Sequence, residues 1–466
     1  MNTLVLLLAV SAPSVEIGIE DAARRAVARG PRVEAARARL QAAESEVGVA
    51  QAGLLPRLEL VARYSRLNPI DNDPLVNLGF DVDAAKAGAA QIQDPAARDV
   101  LSAQLDGLAG LAAARIQVPS DQLAFSARLA YPVSQLFFEI LPALSAREEG
   151  AKAASFELDV ARNVVALEGT EALLGLIRAR RALEVSTLAL ERAETNLAAA
   201  QARVEASRGT QTDVLRLEAR RAEAERLRAT RAADARRAEV ATRTLLGVAS
   251  DATLEPRLSG VPVPPSAPPS ELVARALKDR DEARALGKQR SSAGAAASAA
   301  RGGLLPRLSA EAFVAYENPS PLYVPPGDRF RDRWSLSAVL SWSPDGAFRA
   351  SKSADAAEAR AREVDASLRG LEDLIRIEVE EAAARLEAAL VGLASSQRAE
   401  TAAARARDNV RGGFEEGVFD ATDLIDAELQ LEEARLGVVD ATVGAWLWQV
   451  RLRRRMGVHL WESSAL

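Results

Sequence analysis

The chain has 466 residues, a formal net charge of −6, and 48% apolar but only 4% aromatic residues. Arginine and glutamate alternate without a basic cluster, so the composition excludes a typical nucleic-acid partner and favours long packed helices. With no cysteine, a single histidine (His459) that we interpret as structural, and no protease, hydrolase or phosphate-loop motif, we expect no enzyme, metal site or cofactor.

The N-terminal segment contains a short apolar run at residues 4–10, followed by small residues. A membrane-spanning helix needs ~20 residues, so the run instead predicts a signal peptide over residues 1–14. Met1, Asn2 and Thr3 carry no basic side chain, which leaves a cytoplasmic apolar N terminus as the alternative.

A first structural repeat is predicted over residues 15–247. Helical patterns cover 19–29 and 32–52, and the second stops before Pro56 because a residue before proline disfavours helix. Alternating patterns predict strands at ~57–66 and ~124–134, separated by a long loop at 68–123. A long helix follows at 143–206, then a turn at 207–212 and a helix ending at Leu246.

A proline-rich connector at residues 248–270 leads to a second repeat at 271–458 and a tail at 459–466. Its proline density predicts an extended segment that is neither helix nor central strand. The second repeat has a helix over 271–300, strands at ~307–317 and ~334–343, a helix over 350–411, a turn at 412–420 and a final helix.

The repeat is visible in the residues themselves. The hexapeptide GLLPRL occurs at 53–58 and at 303–308, an offset of 250, whereas the spacing of Thr210 and Asp213 recurs at Asp420 and Asp423 with an offset of 210. The first half therefore has an excess of 40 residues in its loop. Within that loop Leu101, Leu105, Leu108 and Leu111 follow helical spacing, and we hypothesise a lid or plug.

The four alternating runs have the length and pattern of transmembrane strands. Trp334 and Trp342 share one face, separated by eight steps of ~3.3 Å or ~26 Å along the strand. The other aromatic residues predicted for the membrane girdle are Tyr64, Tyr131 and Tyr316. A half-buried sheet in a soluble domain is the alternative interpretation.

Four strands cannot close a barrel, which needs ~8. An open edge cannot lie in lipid, because its backbone groups would have no partner. The pattern therefore implies that several chains share one barrel, with eight strands from two chains or twelve from three.

The duplicated LLPRL helix-to-strand junction and the Gly-containing turns before residues 213–215 and 423–425 resemble the TolC-like outer-membrane efflux protein family over about residues 17–458. The resemblance implies a mainly α fold with a small β part, in which a homotrimer forms a twelve-stranded outer-membrane barrel and a periplasmic helical tunnel. It also implies two partners, a periplasmic adaptor (membrane fusion) protein and an inner-membrane pump.

The resemblance implies a periplasmic tip or gate at the two turns. The residues carried over are Asp213, Phe414, Gly417, Asp423 and Asp426, with Pro56 and Pro306 at the helix-strand junctions. Phe419 stands where the family can carry an arginine that ties the closed gate, and Phe414 where a tyrosine is common. The spacing of Asp213 and Asp423 equally fits helix capping.

We expect a passive exit duct of a tripartite efflux or type I secretion system. The alternative from a different class is a periplasmic coiled-coil scaffold without a pore. The girdle spacing of Trp334 and Trp342 favours the duct, because a scaffold has no need for it.

Overall fold

The computed structural model describes residues 14–68, 79–113, 119–249, 252–265, 267–323 and 328–462. The elements up to residue 205 are β1 (Ser14–Ile17), α1 (Ile19–Arg29), α2 (Pro31–Ala52), β2 (Arg57–Arg66), α3 (Val82–Ala89), α4 (Pro95–Ala113), β3 (Asp121–Tyr131), α5 (Val133–Gln135), a π-helical turn (Leu136–Ile140) and α6 (Leu141–Glu205). The elements after residue 205 are α7 (Gln211–Leu246), β4 (Thr253–Pro256), α8 (Pro269–Asp279), α9 (Asp281–Gly302), β5 (Arg307–Asn318), β6 (Arg331–Ser341), α10 (Pro344–Glu416) and α11 (Ala421–Arg455). Residues 1–13 of the predicted signal peptide lie outside the described residues, and its last residue, Ser14, begins β1.

The chain divides into two compact units. The first comprises residues 1–48, 145–295 and 357–466, and the second comprises 49–144 and 296–356. Within the part of the chain that the structure describes, no helix is both long and apolar enough to span a membrane.

Long helices dominate the first unit. Helix α6 has 65 residues and α10 has 73, which correspond to ~98 and ~110 Å at 1.5 Å per residue. Their buried positions are mostly alanine and leucine. Helix α6 packs with α1, α2 and α11 in one cluster, α10 packs with α8 and α11 in a second, and both pack with α7 and α11 in a third. Small side chains let neighbouring helices approach closely, which explains why a chain so poor in aromatic residues still forms a core.

The helix pairs end alike in the two repeats. Gly247 after α7 and Gly457 after α11 both adopt a left-handed conformation, with φ of 63° and 83°. The following amides donate to equivalent carbonyls, Val248 to Arg243 and Val458 to Arg453, both at 3.0 Å. The 210-residue offset seen in the sequence therefore holds at the level of backbone geometry.

The proline-rich connector differs from its prediction, because it contributes a short strand. Strand β4 pairs in parallel with β1, matching Val15 with Leu254 and Ile17 with Pro256. Pro256 is tolerated because it is the last residue of a strand in a sheet of only two. The connector is thus anchored to the start of the described chain.

The second unit contains a four-stranded antiparallel sheet in the order β2-β3-β5-β6. Strand β2 has its predicted bounds, β5 ends one residue later than predicted, and β3 and β6 differ from the prediction at both ends. Strand β3 begins at Asp121 and ends at Tyr131, because Pro132 has no N–H to continue the ladder. Strand β6 spans residues 331–341 instead of 334–343, since Arg331, Asp332 and Arg333 also pair with β5.

The 68–123 loop contains a pair of helices. Helices α3 and α4 contact each other, and Lys86 Nζ lies 2.6 Å from Asp106 Oδ1. Leu101 and Leu105 lie on α4, consistent with the helical spacing of the leucines, and Leu105 is buried. Whether this helix pair obstructs a pore stays a hypothesis.

Candidate functional site

The two tip turns, residues 206–210 and 417–420, have the same backbone geometry. Ser207 and Gly417 occupy equivalent positions and both have positive φ, 61° and 86°. The next amide closes the same turn in each case, with Arg208 donating to the Arg203 carbonyl at 2.7 Å and Val418 to the Gly413 carbonyl at 2.8 Å. The predicted turn at 412–420 is too long, because α10 remains helical through Glu416.

The N terminus of each returning helix is capped by the side chain of the residue just before it. Thr210 Oγ1 accepts from the Asp213 amide at 3.2 Å and donates to Asp213 Oδ2 at 2.6 Å. Asp420 and Asp423 form a full capping box, in which the Asp423 amide donates to Asp420 Oδ1 at 3.0 Å and the Asp420 amide donates to Asp423 Oδ2 at 3.1 Å. Asp213 and Asp423 therefore each have a structural role.

Acidic side chains surround the second tip turn. Asp426 lies on α11 one turn beyond Asp423, outside the capping box, and its side chain is exposed. Hydrogen bonds from the Asp423 and Thr422 amides lower the pKa of Asp420, and the nearby Arg216 guanidinium acts in the same direction. The capping carboxylate is therefore ionised, as suits a helix N terminus.

Arg203 connects the two tips. Its guanidinium donates to the backbone carbonyl of Phe414, donates to the Arg208 carbonyl at 3.2 Å, and stacks on the Phe414 ring with 4.5 Å between Cζ and the ring centroid. Phe414 is almost fully buried in a cluster with Leu217 and Leu424. The tip therefore has an aromatic core held by an arginine.

Two arginines of α7 contact the second helix pair. Arg216 Nη1 donates to Thr422 Oγ1 at 2.8 Å and lies 3.8 Å from Asp420 Oδ2. Deeper, the buried Arg220 donates to Glu432 at 2.5 Å. Sequence reasoning missed these contacts because the arginines have ordinary helical spacing. Arg220 and Glu432 are 212 positions apart, so no local pattern connects them.

The sheet of the second unit has two faces of different character. The register aligns apolar side chains in rows across the strands, such as Leu58, Leu129, Ala312 and Leu336, and then Leu60, Ala127, Val314 and Trp334. On this apolar face Leu336 is 75% exposed and Trp334 71%. A large exposed apolar surface of this kind marks contact with a membrane or another protein.

Aromatic residues flank the apolar rows. Tyr64, Tyr316 and Trp334 lie on the apolar face towards the loop ends of their strands, and Tyr64 Oη donates to Asp121 at 2.8 Å. Tyr131 is the last residue of β3. Trp342 lies one residue after β6, not within it as predicted, and its Nε1 donates to the Leu304 carbonyl at 3.3 Å.

The repeated hexapeptide forms the same turn twice. Amides of residues 53, 54 and 55 donate to carbonyls three residues earlier at 3.0–3.2 Å, and those of 303, 304 and 305 do the same at 3.0–3.3 Å. Pro56 and Pro306 have no backbone N–H to continue this series of hydrogen bonds. The strands begin at the next residues, Arg57 and Arg307. The sequence repeat thus encodes a helix end, a tight turn and a strand start.

Comparison with known proteins establishes the fold. No protein-family model and no curated protein sequence matches the chain. The chain is similar to the outer-membrane channel OprN (TM-score 0.74, 20% identity, 95% of this chain and 91% of that one). It is also similar to CusC (0.75, 13%, 96% and 94%) and to the outer membrane protein VceC from Vibrio cholerae (0.72, 17%, 94% and 96%). At these identities the likeness shows the fold, and it confirms the predicted class, mainly helical with a small β part.

Proposed function

We propose that this chain is an outer-membrane exit duct, a passive channel that receives substrates from a pump and releases them outside the cell. The observation that carries the proposal is the sheet with one exposed apolar face and aromatic residues towards both strand ends. Solved proteins of the same fold are described as outer-membrane channels. A pore-free scaffold has no need for aromatic residues at both ends of such a face.

The free edges of the sheet support a shared barrel. Within the described chain, β2 and β6 each have only one neighbouring strand, so each has an unpaired backbone edge. In lipid those groups must pair, because no water reaches them. We propose that β6 of one copy pairs with β2 of the next, and that three copies give twelve strands.

The tip turns are the proposed periplasmic entrance. Asp426 is our first choice for an acidic residue that faces the substrate path, since Asp213 and Asp423 are engaged in capping. Phe419 replaces the arginine that can latch such gates in the family. In this chain we assign the tie to Arg203, which holds the Phe414 carbonyl and ring.

The proposed location is the outer membrane, with a periplasmic helical tunnel formed by the first unit. Partners would be a periplasmic adaptor and an inner-membrane pump, and no enzymatic activity is proposed. The transported substrate is set mainly by the pump in such systems, so the duct itself is compatible with drugs, metals or secreted proteins.

A pair of matched substitutions tests the proposed membrane face. Leu336→Arg puts a charge on the apolar face, at a cost of ~2–4 kcal/mol near the middle of a bilayer. Ser335→Arg puts the same charge on the opposite face of the same strand. We expect the wild type and Ser335→Arg to fractionate with the outer membrane as heat-modifiable oligomers, and Leu336→Arg to lose assembly. Equal behaviour of the two variants, or a wild type found in the cytosol, would contradict the duct.

A further inference from the structure

The polar face of the sheet carries more positive than negative charge. Its charged residues are Arg57, Glu59, Arg63, Arg128, Arg307, Glu311, Glu317, Arg331 and Arg333. Arg307 is paired with Glu139 at 3.5 Å, and Arg57 and Glu311 lie in the same row near the helical ends of the strands. The remaining six residues are four arginines and two glutamates, and they occupy the three adjacent rows towards the loops.

Neighbouring groups hold two of these arginines on the face. Arg333 and Arg128 both approach the ring of Phe313, with Cζ-to-centroid distances of 5.0 and 5.9 Å. Arg333 Nε also lies 3.2 Å from Glu317, and Glu59 is directly opposite Arg128 in the β2–β3 register. Glu317 is thus paired with Arg333, and the charge of Glu59 lies opposite that of Arg128.

The surplus falls on Arg63 and Arg331. They occupy one row with Ala124 and Glu317, and Glu317 is already engaged by Arg333. Arg331 stacks on Tyr323 at 4.0 Å. Both side chains belong to exposed residues, so their charges are free to act on mobile ions.

We propose that this row forms a basic ring inside the pore that favours the passage of anionic solutes. The inference rests on the proposed function, since only a barrel makes the polar face a pore wall. With three copies the two surplus arginines per chain give a ring of six positive charges. Rings of like charge attract counter-ions and repel co-ions, and low-dielectric walls strengthen the effect.

The test is ion selectivity in planar bilayers, measured as the chloride-to-potassium permeability ratio from the reversal potential in a KCl gradient. The acidic tip also acts on ions, so the informative quantity is the change between variants. We expect Arg63→Gln/Arg331→Gln to lower the ratio by about twofold or more, and Arg63→Glu/Arg331→Glu to lower it further. The matched control is Arg66→Gln, which removes an arginine from the opposite face of the same strand and should leave the ratio unchanged.

A second measurement needs no variant. Raising the salt concentration shortens the reach of the charges, so the wild-type ratio should move towards the value set by bulk ion mobilities. Conducting channels with the same ratio in the wild type and both double variants, or an equal shift in Arg66→Gln, would overturn the basic ring and leave the duct standing. A wild type that forms no conducting channel would contradict the duct, and the basic ring with it.

Discussion

At the residue level, the strongest contact between the two tip turns belongs to Arg203, the residue that we propose as the tie. Phe419 and Phe414 depart from the polar residues expected at the tip, and neither side chain can form a charged link. The structure instead buries Phe414 and places the Arg203 guanidinium against its ring and carbonyl. A charge-assisted hydrogen bond and a cation–π contact therefore hold Phe414 against Arg203.

We predict that Arg203→Ala loosens the tip. Loss of a hydrogen bond to a charged donor costs about 1.5–3 kcal/mol, so amide hydrogen exchange over residues 410–424 should accelerate and mean single-channel conductance should rise. Arg208→Ala is the control, because only the Arg208 backbone takes part in the turn contacts. If amide exchange rates and conductance are the same in Arg203→Ala and the wild type, Arg203 does not hold the tip together.

His459 should make the first unit's stability depend on pH. A hydrogen bond to Asp281 at 2.9 Å, opposed by burial and assisted by Glu462, raises the pKa of His459 from 6.5 to about 9. Because the folded pKa is the higher one, the stabilisation is complete below pH 6.5 and is lost as pH rises through about 9.

The measurement is the thermal midpoint followed by circular dichroism between those two pH values. The wild-type midpoint should fall as pH rises, and His459→Gln should remove most of that slope. A slope that is identical in His459→Gln would assign the pH dependence to other groups. The sequence predicted a structural role for this histidine, but its carboxylate partner is 178 residues away and could not be inferred from the sequence.

At the scale of elements, the long helices and four strands could be predicted because their periodicity is local. The GLLPRL turns, the capping at Asp213 and Asp423, and the glycine-ended helices follow from short patterns as well. The β1–β4 pair could not be predicted, because residues 14–17 and 253–256 are short and meet only in the fold. The start of β6 was predicted three residues too late, because the charged residues 331–333 do not show the alternating pattern although they pair with β5.

We predict that glycine at position 207 stabilises the first tip turn. Ser207 has a left-handed φ of 61°, whereas glycine occupies the equivalent position 417. A non-glycine residue there costs about 1–2 kcal/mol, so Ser207→Gly should stabilise the turn and slow amide exchange over residues 204–212. Ser155→Gly, inside α6, should instead lower the stability of the protein, because glycine disfavours helix. If both substitutions destabilise the protein, the left-handed conformation of Ser207 does not cost the stability proposed here.

The whole molecule contains a helical unit, in which Arg203 contacts both tip turns, and a sheet unit with an exposed apolar face. A single copy leaves both sheet edges and the apolar face without partners among the described residues. In the proposed duct, lipid would cover the apolar face and further copies of the chain would pair with the sheet edges. The number of copies does not follow from local pattern, and the proposal of three comes from the family resemblance.

The most direct test of the duct is single-channel recording of the purified wild-type protein in planar lipid bilayers. We predict stepwise insertion of uniform conducting units and a heat-modifiable oligomer in the same preparation. We also predict that Leu336→Arg abolishes these insertions while Ser335→Arg retains them. A protein that is correctly folded by circular dichroism but never conducts would contradict the duct and favour the coiled-coil scaffold.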